Sequence, residues 1–191
     1  NLSFGGIIKL QNTKEFPIKD INSIHIKYNS EEIIFMQGQS DKIVIEEYFG
    51  TSRKNNKTQM EMIDGALHIR SNPAITFYLF SFESEKVKIY LPKDYAGSID
   101  AETSSGNIKT EMNLTLDEFR AKTSSGNIKC NEIEASFIQA EASSGNVTLE
   151  KAQGKREFAT SSGEVRIKDG AGDTKATASS GNIKIHNASG G

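Results

Sequence analysis

The chain has 191 residues, 36% hydrophobic and 25% charged, a balance ordinary for a soluble folded chain of one domain or two small ones. Its formal net charge of −2 gives no overall pull toward nucleic acid or acidic lipid. No long apolar run is present to span a membrane as a helix, and the one cysteine, Cys130, excludes an internal disulfide framework. The first residue is Asn1, not methionine, which fits removal of an export signal or anchor.

Residues 1–20 form a weakly patterned entry broken by Gly5-Gly6 and Pro17. Ile24, Ile26 and Tyr28 then alternate, and Ile33-Ile34-Phe35-Met36 and Ile43-Val44-Ile45 follow, with breaks about ten residues apart. This spacing predicts irregular copies of the repeat described below over residues 21–49. Residues 50–58, with Arg53, Lys54 and Lys57, read as a loop. Asp64-Gly65 between Met60, Met62 and Leu67, Ile69 predicts a hairpin. The stretch 74–82 is apolar on both faces. It reads as a covered strand or a plug at the N-terminal end. Phe77, Tyr78, Phe80 and Phe82 are also candidates for a sticky patch that binds a partner protein or membrane. Val87, Ile89 and Leu91 alternate up to Pro92, and Asp94-Tyr95-Ala96-Gly97 makes the next turn.

From Ser98 onward one phrase recurs: Thr103-Ser104-Ser105-Gly106-Asn107-Ile108, and again with its glycine at Gly126, Gly145, Gly163 and Gly181. A fixed period near twenty residues is the mark of stacked copies of one small unit. Two residues after each glycine stand Ile108, Ile128, Val147, Val165 and Ile183; four after stand Thr110, Cys130, Leu149, Ile167 and Ile185. Alternation of period two is a strand signal. Ala101, Ala121, Ala140, Phe158 and Ala176 line the strand that enters each turn. The unit has no 3.6-residue stripe, which excludes a helical repeat. A second break about nine residues past each glycine, clearest at Gly154 and Gly170-Ala171-Gly172, predicts two strands and two turns per copy. The predicted architecture is therefore all-β: one domain over 1–191, a right-handed parallel β-helix or flattened β-solenoid of about 18–20 residues per coil. Its part over 1–97 is irregular and its part over 98–191 regular. The glycines are expected to supply positive φ in the turns. The phase of Cys130 points it inward, as a small buried hydrophobe. Asn107, Asn127, Asn146 and Asn182 are expected to stack as an amide ladder. In the fourth copy Glu164 replaces asparagine and Arg156 stands where Ile99, Phe119 and Ile138 stand elsewhere, so a bulge or register shift is expected there. The last copy leaves an unpaired edge, which predicts further chain or end-to-end association through it.

The run Val87-Lys88-Ile89-Tyr90-Leu91-Pro92-Lys93 followed by repeated Ser-Ser-Gly-Asn-Ile resembles the bacterial "putative adhesin" family of unknown function, relatives of autotransporter adhesin heads. The resemblance covers roughly residues 20–191. It implies a pectin-lyase-like parallel β-helix, a cell-surface or envelope location and a non-catalytic binding role, with envelope-stress regulation as a role by analogy.

Chemistry beyond that has few candidates. The serines recur in five equivalent turns, whereas a nucleophile is needed once, beside a base. His25, His68 and His186 fall in different copies without metal spacing, and Asp100, Glu102, Asp117, Glu118 and Glu141 read as a solvated face. No catalytic residue, metal site or cofactor is expected, and a carbohydrate-active enzyme is the alternative of another class. Three residues after each glycine, facing outward, stand Lys109, Lys129, Thr148, Arg166 and Lys184. The cations Lys109, Lys129, Arg166 and Lys184 form a candidate stripe for an anionic cell-wall polymer or acidic glycan. Glu111, Asn131, Glu150, Lys168 and His186 form the neighbouring column.

Overall fold

The structure, a computed structural model, describes residues 7–50, 58–71, 85–186 and 188–189. The stretch 74–82, with Phe77, Tyr78, Phe80 and Phe82, lies outside the described residues, as does most of the basic loop 50–58. Among the described residues no helix is long and apolar enough to cross a membrane.

The protein is all-β. Its strands are β1 (Ile8–Pro17), β2 (Ser23–Tyr28), β3 (Glu32–Gln37), β4 (Lys42–Gly50), β5 (Gln59–Ile63), β6 (Ala66–Arg70), β7 (Lys86–Leu91) and β8 (Ser98–Thr103). They continue as β9 (Ile108–Thr110), β10 (Leu114–Thr123), β11 (Ile128–Ala142), β12 (Val147–Thr160), β13 (Val165–Ala171), β14 (Thr174–Ala178), β15 (Ile183–Ile185) and β16 (Ala188–Ser189). All belong to one mixed sheet that curls around a shared interior.

The Ser-Ser-Gly copies stack in parallel and in register. Ile128 pairs with Ile108 on one side and Val147 on the other, Val147 with Val165, and Val165 with Ile183. The entering strands follow suit: Ala121 sits between Ala101 and Ala140, and Phe158 between Ala140 and Ala176. Ile108, Ile128, Val147 and Val165 are fully buried, whereas Ile183 of the last described copy is 44% exposed. Alternation along each strand thus sends one set of side chains inward and the other to the outer wall.

The N-terminal region joins this stack out of chain order. β2 lies between β6 and β8, with Ile24 between Leu67 and Ile99, and β3 lies between β7 and β9, with Ile33 between Val87 and Ile108. Residues 23–37 therefore form a copy like the later ones, and β6 and β7 cover it. β4 does not continue the parallel order expected over 21–49. It runs antiparallel to β7 and to β1, a strand in the entry segment where no strand was expected. At Asp64-Gly65 the expected hairpin is present. β5 and β6 pair antiparallel, and Asp64 (φ 48°) and Gly65 (φ 79°) take the left-handed conformations of a type I′ turn.

Two details of the repeat differ from expectation. The corner glycines are not needed for positive φ, which among the described glycines occurs at Gly65, Gly154 and Gly172. They are needed for space: a Cβ on Gly126 would overlap the carbonyl oxygen of Gly106, and one on Gly145 that of Gly126. The corner hydroxyl reinforces this approach. Thr123 Oγ1 donates to the Gly106 carbonyl (2.9 Å) and accepts from the Gly126 amide (3.1 Å); Thr160 does the same between Gly145 (2.8 Å) and Gly163 (3.0 Å). The second break also does not end a strand in every copy: β11 and β12 run through it, Gly154 of β12 taking φ 120° where the register shifts, whereas β9 and β13 stop there.

The irregularity expected in the fourth copy is found as a register shift between β11 and β12 after Glu134. There the period shortens from 19 to 18 residues. Arg156, in the inward column, is 1% exposed. Its guanidinium donates to the carbonyls of Ala152 and Gly172 (2.8 Å for the latter) and to Thr174 Oγ1 (2.9 Å from Nε). Gly170 leaves room for it: a Cβ there would strike the guanidinium. Burial lowers the Arg156 pKa, and Asp169 partly offsets that.

Candidate functional site: the outer wall

Each strand that leaves a Ser-Ser-Gly corner places its middle residue outward. Register then aligns Ile34, Lys109, Lys129, Thr148, Arg166 and Lys184 in one column. Neighbouring members stand about 4.8 Å apart, the strand spacing. The sequence-derived stripe is thus brought together, but it is largely paired within the wall. Lys109 Nζ lies 2.9 Å from Glu32 Oε2, a residue of β3 at the adjoining outward position. Arg166 and Lys184 both reach Glu164, each at 2.7 Å. Lys184, then Arg166, hold the Glu164 carboxyl below the usual range. Lys168 pairs with Glu150 at 2.7 Å in the next column. Among the described residues Lys129 has no carboxylate within ion-pair distance, so it is the free cation in the middle of the column.

Beside this column runs the asparagine row, and its bonding differs from an amide-to-amide ladder. Asn107 Oδ1 accepts from the Asn127 backbone N–H (2.9 Å), Asn127 Oδ1 from that of Asn146 (2.8 Å), and Asn146 Oδ1 from that of Glu164 (2.8 Å). The carbonyl of each of these later residues accepts from the apolar residue of the copy before it, as Asn127 does from Ile108 (2.9 Å). The side chain thus supplies the acceptor that the corner backbone lacks. Glu164 ends this sequence by turning its carboxylate to the two cations.

Near the N-terminal end the same wall carries Tyr48 and Tyr90. The Tyr48 ring lies under Lys86 Nζ (5.7 Å) and Lys88 Nζ (5.2 Å). Its hydroxyl donates to Glu46 (2.6 Å), and that bond, with some burial, pushes its pKa up to about 12. On the other outward face Arg120 bonds Glu118 (3.0 Å) and Gln139 (2.7 Å) and stacks over Phe137, with its guanidinium carbon 4.6 Å from the ring centre. Lys27 pairs with Glu102 at 3.1 Å. Of the acids read as a solvated face, Asp100, Glu102, Glu118 and Glu141 all sit on this wall in contact with a basic or amide neighbour.

Cys130 is fully buried, and burial pushes its thiol up to about 12, so it is a packing residue in the ground state. The histidines are the departure. His25 and His68 stack with ring centres 4.9 Å apart and planes 11° from parallel, because β2 and β6 pair residue for residue. His186 stands apart, exposed on the last described copy. Matching contexts, Ile24-His25-Ile26 and Leu67-His68-Ile69, are the sequence signal that could have joined the first two. Among the described residues no group of three or more histidine, cysteine or acidic side chains could hold a metal ion.

A curled, all-β sheet with stacked parallel copies and a charge-laddered outer wall defines a class of repeat-built scaffold in which side chains are displayed at strand spacing. The chain belongs to the Toastrack DUF4097 family, whose sequence profile matches residues 21–190. No curated protein matches the sequence. Solved structures share the fold at low identity. A "putative cell adhesion protein" from Clostridium sporogenes is 10% identical with a TM-score of 0.60, over 94% of this chain and 99% of that one. A "putative adhesin" from Parabacteroides distasonis is 18% identical with a TM-score of 0.53, over 95% and 83%. Another from Bacteroides fragilis is 13% identical with a TM-score of 0.50, over 94% of each chain.

Proposed function

We propose that the protein is a non-enzymatic, extracytoplasmic binding protein of the cell surface or envelope, and that its outer wall engages an anionic cell-wall polymer or acidic glycan. The observation that carries this reading is the outward column Lys109, Lys129, Arg166, Lys184, held in register by parallel pairing. A polymer whose charges repeat every few ångströms meets such a column at several points at once, and weak contacts gain from multiplicity. Lys129 is available directly, whereas Lys109, Arg166 and Lys184 exchange Glu32 or Glu164 for the polymer. Binding is therefore weak per site and falls steeply as salt rises, since screening reaches about 10 Å at 0.1 M. The stacked copies are read as coils of a right-handed parallel β-helix, the hand that crossover connections between parallel strands nearly always take. The names of the structural neighbours support an adhesive role by similarity.

The test is retention on a polyanionic teichoic-type polymer and on a neutral glycan at two salt concentrations, with polymer length followed in parallel. Retention on the polyanion, lost in the Lys129→Ala/Arg166→Ala double variant and at high salt, is expected. Unchanged retention in that variant removes the stripe. Shortening of the polymer by the wild-type protein makes the protein an enzyme instead.

A further inference from the structure

The outward row that carries the cation column does not end at Ile34. Register continues it through Lys88 of β7 to Glu46 of β4, so the row reads Glu46, Lys88, Ile34, Lys109, Lys129. On one side of it stand Tyr48, Lys86 and Glu32; on the other stand Val44, Tyr90 and Met36. The ammonium groups of Lys86 and Lys88 converge on one ring, Tyr48, at 5.7 and 5.2 Å from its centre. Among the described residues neither lies within ion-pair distance of a carboxylate. Glu32, opposite Lys86, is taken by Lys109 (2.9 Å) and by the Asn107 side-chain amide (3.1 Å). Glu46, opposite Lys88, accepts from the Tyr48 hydroxyl (2.6 Å). Burial, then Glu46, raises the Tyr90 pKa, so the same carboxylate faces the second tyrosine. Two like charges are thus gathered without a counter-charge, beside a partly exposed apolar strip of Val44, Tyr90 and Met36.

We propose that this end of the wall binds an acidic pyranose, a sugar ring bearing a carboxylate or phosphate, with the anionic group between Lys86 and Lys88 and the ring on Tyr90. The proposal rests on the polymer reading and narrows it to a glycan. A bare polyanion has no use for Glu46, which repels it. A sugar does, because its hydroxyls donate and a carboxylate accepts. The face of the sugar ring carries C–H groups, which suit the apolar body of a tyrosine. Cation–π contact with Tyr48 holds the two ammonium groups in place and leaves N–H donors open. Two such donors on one anion make charge-assisted hydrogen bonds, stronger than neutral ones. From here a bound chain runs on over Ile34 to Lys109 and Lys129, two and three strands away from Lys88. The docked sugar therefore sets where the polymer meets the column.

The test is calorimetric titration of the purified protein with an oligogalacturonate, with its methyl ester and with linear polyphosphate. The uronate should bind and its uncharged ester should not. Uronate affinity should fall about tenfold in the Lys86→Ala/Lys88→Ala double variant and about threefold in Tyr90→Ala. Polyphosphate binding should respond to the lysine variant and not to Tyr90→Ala. Absence of uronate binding, equal binding of the ester, or uronate binding unchanged in both variants overturns the proposal. Loss confined to Lys129→Ala/Arg166→Ala overturns it too and leaves the column standing alone. Uronate binding that falls in the Lys86→Ala/Lys88→Ala variant but not in Lys129→Ala/Arg166→Ala keeps this site and strikes the column. Far-UV circular dichroism confirms that each variant is folded.

Discussion

Thr123→Val isolates the contribution of one corner hydroxyl. Valine keeps the shape of threonine, so packing against Ala121 and the neighbouring corners is preserved. What is lost is the hydroxyl that donates to the Gly106 carbonyl at 2.9 Å and accepts from the Gly126 amide at 3.1 Å. Both glycines and Thr123 itself are buried, so water cannot take over. A buried donor or acceptor left without its partner costs about 1–3 kcal/mol. Some relaxation of the corner is expected, so the sum is about 2–4 kcal/mol, and the Tm falls by about 5–12 °C at this chain length. Denaturant unfolding followed by circular dichroism measures this, with the exposed Thr115→Val as a control that should stay within about 0.5 kcal/mol. Geometry also ranks the series. Thr160, with bonds of 2.8 and 3.0 Å, should cost as much as Thr123, and Thr103, with bonds of 3.3 Å, should cost less. A Thr123→Val protein as stable as wild type would refute the idea that these hydroxyls lock one copy to the next.

Gly126→Ala should be worse than any of these, because the new Cβ meets a backbone carbonyl that cannot rotate away; a loss above about 4 kcal/mol or failure to fold is expected, and a soluble variant of near-native Tm would contradict it. Asn127→Ala removes the acceptor for the Asn146 amide and should cost about 0.5–1.5 kcal/mol. Asn127→Asp keeps an acceptor and should be close to neutral, whereas equal losses would restore the amide-to-amide ladder. Glu164 has its pKa lowered by Lys184 and Arg166, so its stabilising effect is complete above the unfolded carboxyl pKa of about 4.3 and disappears as pH falls through the lower folded value. The Tm difference between wild type and Glu164→Gln should therefore be present at pH 7 and vanish in strong acid; a difference that persists there counts against the pairing.

Much of the regular part of the fold was readable because its signal is local. Gly106, Gly126, Gly145, Gly163 and Gly181 fix the period, and the alternation from Ile108 to Ile185 fixes which side chains face in. Even the reason for the glycines was only half legible, since a collision with the copy before it depends on stacking distance and not on the turn itself. The antiparallel strands β1 and β4 were not foreseen in that order, because nothing in Lys42–Gly50 distinguishes a strand that reverses from one that continues. Arg156 was legible as an exception, but its role required Gly170, Gly172 and Thr174 to be seen around it. The charge column could be drawn from the sequence. Its neutralisation could not, because Glu32 reaches Lys109 across 77 positions of chain. The same holds for His25 and His68, whose contact depends on β6 settling on β2.

The position of β2 and β3 inside the stack has a consequence for how the molecule is made. Residues 23–37 emerge early, yet their neighbours, residues 66–70 with 86–91 on one side and 98–110 on the other, emerge later. The first third of the polypeptide must wait in an incomplete form until about residue 110 is available. Every later copy then finds a finished template and needs only its own twenty or so residues to settle. Pulse-labelled hydrogen exchange during refolding should accordingly show amides of 23–37 and 98–110 gaining protection together and those of 165–185 following; protection appearing first at the C-terminal copies would contradict that order.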